Sequence, residues 1–189
     1  WTLIDMFPGR PGMTVIGENG GIVMRDGVEV SSSPLDAPTM REAVRLVREA
    51  TSGPDGIDGG LVMCGKQFAY VERTDDRFVD GVLPYYHRTK RIYDQIAIID
   101  AIEAGEIDDA IVKLAVYVIG PVQALAEATL ANFADTHQYA ISGANWADLQ
   151  IRGVDKGSAV RDLQRFLGVD RSQTAVFGDA GNDLSMMSE

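Results

Sequence analysis

The run Gly178-Asp179-Ala180-Gly181-Asn182-Asp183 sets two carboxylates and a carboxamide close together. It follows the apolar Thr174-Ala175-Val176-Phe177 and precedes Leu184-Ser185-Met186-Met187. That order predicts a buried strand, a carboxylate-bearing turn and a helix. Acids gathered at one strand tip can hold a divalent cation, and the amide beside them can meet a phosphate. Upstream, Gly153-Val154-Asp155-Lys156-Gly157-Ser158 puts a lysine at the start of a predicted helix. Carboxylates for a cation and a lysine for an anion point together to phosphate chemistry. No residue in the sequence stands out as the nucleophile such chemistry requires. Each group also has a plainer reading. Asp179 alone is a turn residue or helix cap, Asp183 a first-turn acid facing the helix dipole, and Lys156 a solvated lysine. Their joint occurrence, with Gly153 and Gly157 around the lysine, favours a site.

The other reactive side chains are less suggestive. His87 and His137 are the only histidines and fall in different predicted elements, with no ligand partner spaced to either. Cys64 ends a predicted strand without an evident base and reads as a buried thiol. Tyr85-Tyr86-His87-Arg88-Thr89-Lys90-Arg91 is a basic, aromatic patch that reads either as a solvated loop or as a surface meeting a substrate. Trp146 reads as packing, with Asp148 beside it.

The elements that must position these groups follow from periodicity. Gly12 to Gly17 predicts a short strand running into Glu18-Asn19-Gly20-Gly21. Asp26-Gly27 between Ile22-Val23-Met24 and Val28-Glu29-Val30 predicts a hairpin. Asp36 and Pro38 announce a helix whose face is Met40, Ala43, Val44 and Val47. Residues 60–64 and 68–72 predict two strands, and Ile92, Ile96 and Ile99 a second helix. Ile111 to Ile119 predicts a central strand, and Gly120-Pro121 opens a third helix. Residues 137–141 and 146–151 predict a further hairpin. This middle is an α+β layer leaning to antiparallel strands. The tail differs. Lys156 to Leu167 predicts a helix with Ala159, Val160, Leu163 and Leu167 inward and Gly168 as its stop. A buried strand and the acidic turn then follow, the order of a doubly wound α/β sheet.

Composition sets outer bounds. With 46% hydrophobic and 24% charged residues over 189 positions, the chain reads as an ordinary globular protein. A net charge of -11 argues against non-specific nucleic-acid or anionic-membrane partners. It leaves room for a small phosphorylated metabolite held by local positive charge. One cysteine permits no internal disulfide, so a cytoplasmic location is the expectation. No apolar stretch is long enough to span a bilayer. Oligomeric state is left open.

The lysine motif at 153–159 and Val176-Phe177-Gly178-Asp179-Ala180-Gly181-Asn182-Asp183 resemble the third and fourth motifs of the haloacid dehalogenase (HAD) phosphohydrolase superfamily. Their form is similar to the Cof-type sugar-phosphatase branch. Ile16-Gly17-Glu18-Asn19-Gly20-Gly21 resembles that branch's Asn-Gly turn, which precedes a hairpin and a large inserted cap. The resemblance implies an α/β fold, a partial doubly wound core with a large inserted α+β cap domain. The core would comprise residues 1–33 and 153–189, and the cap 34–152. It implies Mg2+-dependent hydrolysis of a small phosphomonoester, a sugar phosphate in that branch, through an aspartyl-phosphate. Asp179 and Asp183 would then be catalytic residues and metal ligands, Asp183 acting directly or through a water. Lys156 and Asn182 would be catalytic and would also contact the phosphate, and Asn19 would lie at the substrate-binding rim. The branch's first motif, Asp-x-Asp-Gly-Thr, is absent from these residues, and the position of its second would precede Trp1. The expectation is a piece of a longer protein, inactive by itself. A phosphomutase of the same superfamily and a non-catalytic binding or regulatory protein are the alternatives.

Overall fold

The computed structural model describes residues 2–7, 9–178 and 181–188, with backbone alone at Thr2, Leu3 and Asn182. The chain divides into two units, one formed chiefly by Pro34–Ile151 and the other by Leu3–Ser33 with Arg152–Glu189. A short helix, α1 (Thr2–Met6), comes before three strands, β1 (Thr14–Gly17), β2 (Ile22–Arg25) and β3 (Val28–Ser32). These form an antiparallel sheet in sequence order. Asp26 adopts φ 49° in the β2–β3 turn, as primed hairpin turns require. Its carboxylate accepts the Gly12 N–H at 2.7 Å, while Arg25 Nη1 donates to the Gly12 carbonyl at 2.6 Å. The turn end of the predicted hairpin is thus tied to Gly12.

The Pro34–Ile151 unit begins with α2 (Ala37–Thr51), where the Asp36 carboxylate caps the helix by accepting Thr39 N–H at 2.7 Å. The predicted face Met40, Ala43, Val44 and Val47 is buried. Each of its larger side chains contributes about 1.5–3 kcal/mol through removal from water. Along the chain follow β4 (Gly59–Gly65), β5 (Ala69–Val71), α3 (Asp76–Val82), β6 (Thr89–Arg91) and α4 (Gln95–Glu103). Then come β7 (Ile111–Val118), α5 (Gln123–Ala128), β8 (His137–Ile141) and β9 (Trp146–Ile151). The sheet order is β6-β5-β4-β7-β9-β8, antiparallel at every pairing except β5–β6. Strand β7 lies inside this sheet and is almost wholly buried on both faces, as an interior strand is. Its Leu114, Val116 and Val118 join the core built on α2 and α5, and its Ala115 joins Val62, Phe78 and Trp146 on the other face.

The hydrogen bond from the Thr39 backbone holds the Asp36 carboxyl below the usual carboxylate range. A depressed folded-state value adds stability above the unfolded pKa of about 3.9, and that contribution disappears as pH falls through the lower folded value. Asp36→Ala is therefore expected to cost about 1 kcal/mol near neutrality. The difference from wild type should shrink below about pH 3. Urea unfolding at the two pH values measures it, and a loss that persists in acid would contradict a capping role.

After β9, Asp155 and Ser158 form a reciprocal capping box that starts α6 (Lys156–Leu167), and Gly168 ends it at φ 66°. A short α7 (Leu184–Met187) follows the turn at Gly181–Asp183. Two expectations fail here. Residues 174–177 form no strand, and Phe177 is 87% exposed. A buried strand needs neighbours to pair its N–H and C=O groups, and no strand pairs with this segment among the described residues. Of the residues expected inward on α6, Ala159 and Val160 are buried, Leu163 is partly covered and Leu167 is 41% exposed. No helix among the described residues is long and apolar enough to cross a membrane.

Candidate active site

Within the unit formed by Leu3–Ser33 and Arg152–Glu189, backbone close approaches bring the candidate residues together. Strand β1 ends in a tight turn at Glu18–Gly20 in which Glu18 and Asn19 hold φ 48° and 51°. Left-handed backbone of this kind is unusual away from glycine and clusters where surrounding structure over-determines it. Gly20 continues the turn at φ 101°, and a Cβ there would lie 2.2 Å from the Asp155 carbonyl oxygen. Only glycine lets the turn lie against the residue that caps α6. Gly157 performs the matching service on the other side. A Cβ on it would lie 2.5 Å from the Ser185 carbonyl oxygen, and its N–H donates to Ser185 Oγ at 3.1 Å. The start of α6 is thereby fixed between the Asn-Gly turn and α7.

Lys156 is the first residue of α6, and its Nζ lies 2.5 Å from Asp183 Oδ1. The Asp183 side chain is 9% exposed and the Lys156 side chain 30% exposed. The lysine is thus positioned at its root by the capping box and at its tip by a buried carboxylate. A cavity of about 310 Å³ opens against it, lined by Ile16, Gly17, Glu18, Asn19, Lys156 and Met186. A compact ammonium beside a carboxylate in such a recess can bind an anion and share its charge with a cation held by the same carboxylate. The first-turn position adds the favourable field of the helix N-terminus.

Of the residues singled out in the sequence, Asn19 and Lys156 line one cavity, and Asp183 sits on the lysine. Asn182 lies in the Gly181–Asp183 turn, with its backbone alone described. Asp179 lies outside the described residues. Glu18 lines the cavity with them and was not foreseen. Its signal, a polar residue directly before Asn-Gly at a strand end, was visible but is shared by ordinary turns. Among the described residues no group of three or more His, Cys, Asp or Glu side chains is placed to hold a metal. The donor chemistry that remains, a buried carboxylate at Asp183 beside the sequence position of Asp179, is the hard-oxygen chemistry Mg2+ takes.

The remaining candidates have structural partners. Cys64 is buried, its thiol 3.7 Å from the Val62 carbonyl oxygen. His137 meets Thr136 Oγ1 at 2.8 Å and Thr39 Oγ1 at 3.5 Å. Trp146 packs between Tyr85, Tyr86 and Tyr117, with ring centroids 5.2, 6.0 and 4.8 Å away. Part of the basic, aromatic patch is ordered as strand β6, which pairs in parallel with β5. Asp148 lies 3.6 Å from Lys113 Nζ, both side chains almost fully buried.

A family model described as haloacid dehalogenase-like hydrolase matches residues 7–189. The chain belongs to that family. The 5-amino-6-(5-phospho-D-ribitylamino)uracil phosphatase YbjI of Escherichia coli is 30% identical over 193 aligned positions, covering all of this chain and 65% of YbjI. The chain thus spans about two-thirds of that relative's length. A crystal structure from Eubacterium rectale shares the fold with a TM-score of 0.73 at 19% identity, over 92% of this chain and 62% of that one. The HAD subclass IIB sugar phosphatase BT4131 does so with a TM-score of 0.65 at 15% identity, over 92% and 60%. The fold is therefore the mixed α/β fold of haloacid dehalogenase-like structures, and the expected membership of the haloacid dehalogenase superfamily is borne out.

Proposed function

We propose that the protein of which this chain forms part is a Mg2+-dependent phosphatase acting on a small phosphorylated metabolite, a sugar phosphate or a phosphorylated polyol. The observation that carries this reading is the Lys156–Asp183 pair at 2.5 Å beside the cavity that Asn19 lines. Family membership supports it, as does the 30% identity to a phosphatase whose substrate carries a phosphoribityl group. The Pro34–Ile151 unit would be the cap that selects the substrate.

In this reading Lys156 holds the transferring phosphoryl group as a point charge, and Asp183 keeps the ammonium aimed at it. Asp179 and Asp183 would hold Mg2+, which when bound supplies charge neutralisation at the phosphoryl oxygens. Asn182 would donate an amide N–H to a phosphate oxygen, and Asn19 would contact the substrate at the rim. The nucleophile would be an aspartate outside these residues. Its carboxylate attacks phosphorus, the ester P–O bond breaks, and the leaving oxygen takes a proton from water to depart as the alcohol. Water then cleaves the acyl phosphate to inorganic phosphate and regenerates the carboxylate. Such chemistry is governed mainly by positioning and by stabilisation of spread negative charge, which these side chains can supply. A panel of phosphomonoesters offered to the full-length protein tests the reading: sugar and polyol phosphates should be hydrolysed faster than nucleotides or phosphoserine. No release from any of them would sink it.

A further inference from the structure

The Pro34–Ile151 unit contains a cavity of about 480 Å³ that involves none of the residues discussed above as active-site candidates. It is bounded by the second half of α2, the segment entering β4, the residues after β5 and the start of α4. Its size is that of a small-molecule site. Val44, Val47 and Leu61 give it apolar walls.

Gln95, the first residue of α4, lines this cavity and is only 2% exposed. Its Nε2 donates to the Leu61 carbonyl at 2.9 Å and to the Tyr70 carbonyl at 3.2 Å, which fixes which way the amide points. Its Oε1 accepts no hydrogen bond among the described residues, whereas no fully buried side-chain nitrogen or oxygen there lacks a partner. The oxygen is therefore the part of Gln95 that opens to the cavity. At the rim, Arg48 Nε and Nη2 hold Glu72 at 2.8–3.2 Å, and Nη2 also reaches Asp94 at 2.7 Å. Arg48 Nη1 has no partner among the described residues. Arg48 is paired with Glu72 and Asp94, and Arg73, which also lines the cavity, with Asp58 at 2.6 Å, so the charged side chains here are already matched with one another.

We propose that this cavity binds an uncharged small molecule carrying a carboxamide or lactam on an apolar body. The ligand's N–H would donate to Gln95 Oε1, its carbonyl would accept from Arg48 Nη1, and its apolar part would cover Val44, Val47 and Leu61. A carboxylate in the same place sets oxygen against Gln95 Oε1, and an ammonium offers Arg48 Nη1 no acceptor.

Three isosteres test this on the full-length protein by titration in amide-resolved NMR: indole-3-acetamide, indole-3-acetate and tryptamine. Indole-3-acetamide should give saturable shifts at the backbone amides of Gly59 and Gly60 and at the Gln95 side-chain amide. The acid and the amine should bind at least about tenfold more weakly, because each leaves one polar group facing the wrong partner. Arg48→Met, at a partly exposed site where the fold should survive, should weaken the amide by about tenfold. No saturable shift with the amide would mean a cavity holding solvent only. Equal binding of all three probes would mean apolar trapping alone. Unchanged affinity in Arg48→Met would remove the rim contact. Each of these results overturns the proposal.

Discussion

Replacing Lys156 with methionine in the full-length protein is expected to lower kcat for phosphomonoester hydrolysis by about 10²–10³-fold, the usual loss when one preorganised charge-stabilising group is removed. KM should change far less, because the lysine matters most where charge spreads in the transition state. Methionine keeps the length and the apolar stem that packs at the start of α6, so the capping box of Asp155 and Ser158 should survive. Lys156→Arg should not restore full activity. The compact ammonium 2.5 Å from Asp183 Oδ1 acts as a point charge, whereas a planar guanidinium presents its donors in a fixed fork of different reach. Steady-state kinetics with a chromogenic phosphomonoester reads both variants. A Lys156→Met enzyme with near wild-type kcat would remove the lysine from the chemistry and leave it a structural partner of Asp183.

The second large effect concerns Asp183. Asp183→Asn preserves shape and can still accept a hydrogen bond from the lysine, but it removes the negative charge. The concentration of Mg2+ needed for half-maximal activity should rise by about 10–100-fold, as when a group supporting a metal site loses its charge. Saturating Mg2+ should recover part of the lost rate. Titrating activity against Mg2+ in both proteins measures the shift. An unchanged Mg2+ dependence would mean that Asp183 serves only to hold Lys156. Thermal unfolding of the variant separates that outcome from simple destabilisation.

The sequence carried much of this arrangement because several of its signals are local. Asp36 with Pro38 marked the start of α2, Asp26-Gly27 marked the hairpin, and Gly168 marked the end of α6, each through backbone chemistry acting within a few residues. The meeting of Lys156 with Asp183 was legible at one remove, since both motifs carry the glycines that close approach demands. What could not be read was pairing over distance. Strand β6 holds a place in the sheet through hydrogen bonds to β5, although Thr89-Lys90-Arg91 has no apolar pattern of its own. Segment 174–177 has the opposite character: an apolar composition that suits a strand, but no partner among the described residues. Helix α3 was not foreseen: it is capped by Asp75 and buries Phe78, Val79 and Val82, but its short length hid the period. The left-handed run from Glu18 to Gly20 was visible only as a turn, because its conformation is dictated by contact with Asp155.

The most direct test of the central claim is phosphate release by the full-length protein from sugar and polyol phosphates, with Mg2+ present or chelated, beside an Asp179→Ala variant. The account predicts release that requires Mg2+ and is abolished in the variant. Release that persists under chelation, or in Asp179→Ala, would contradict it.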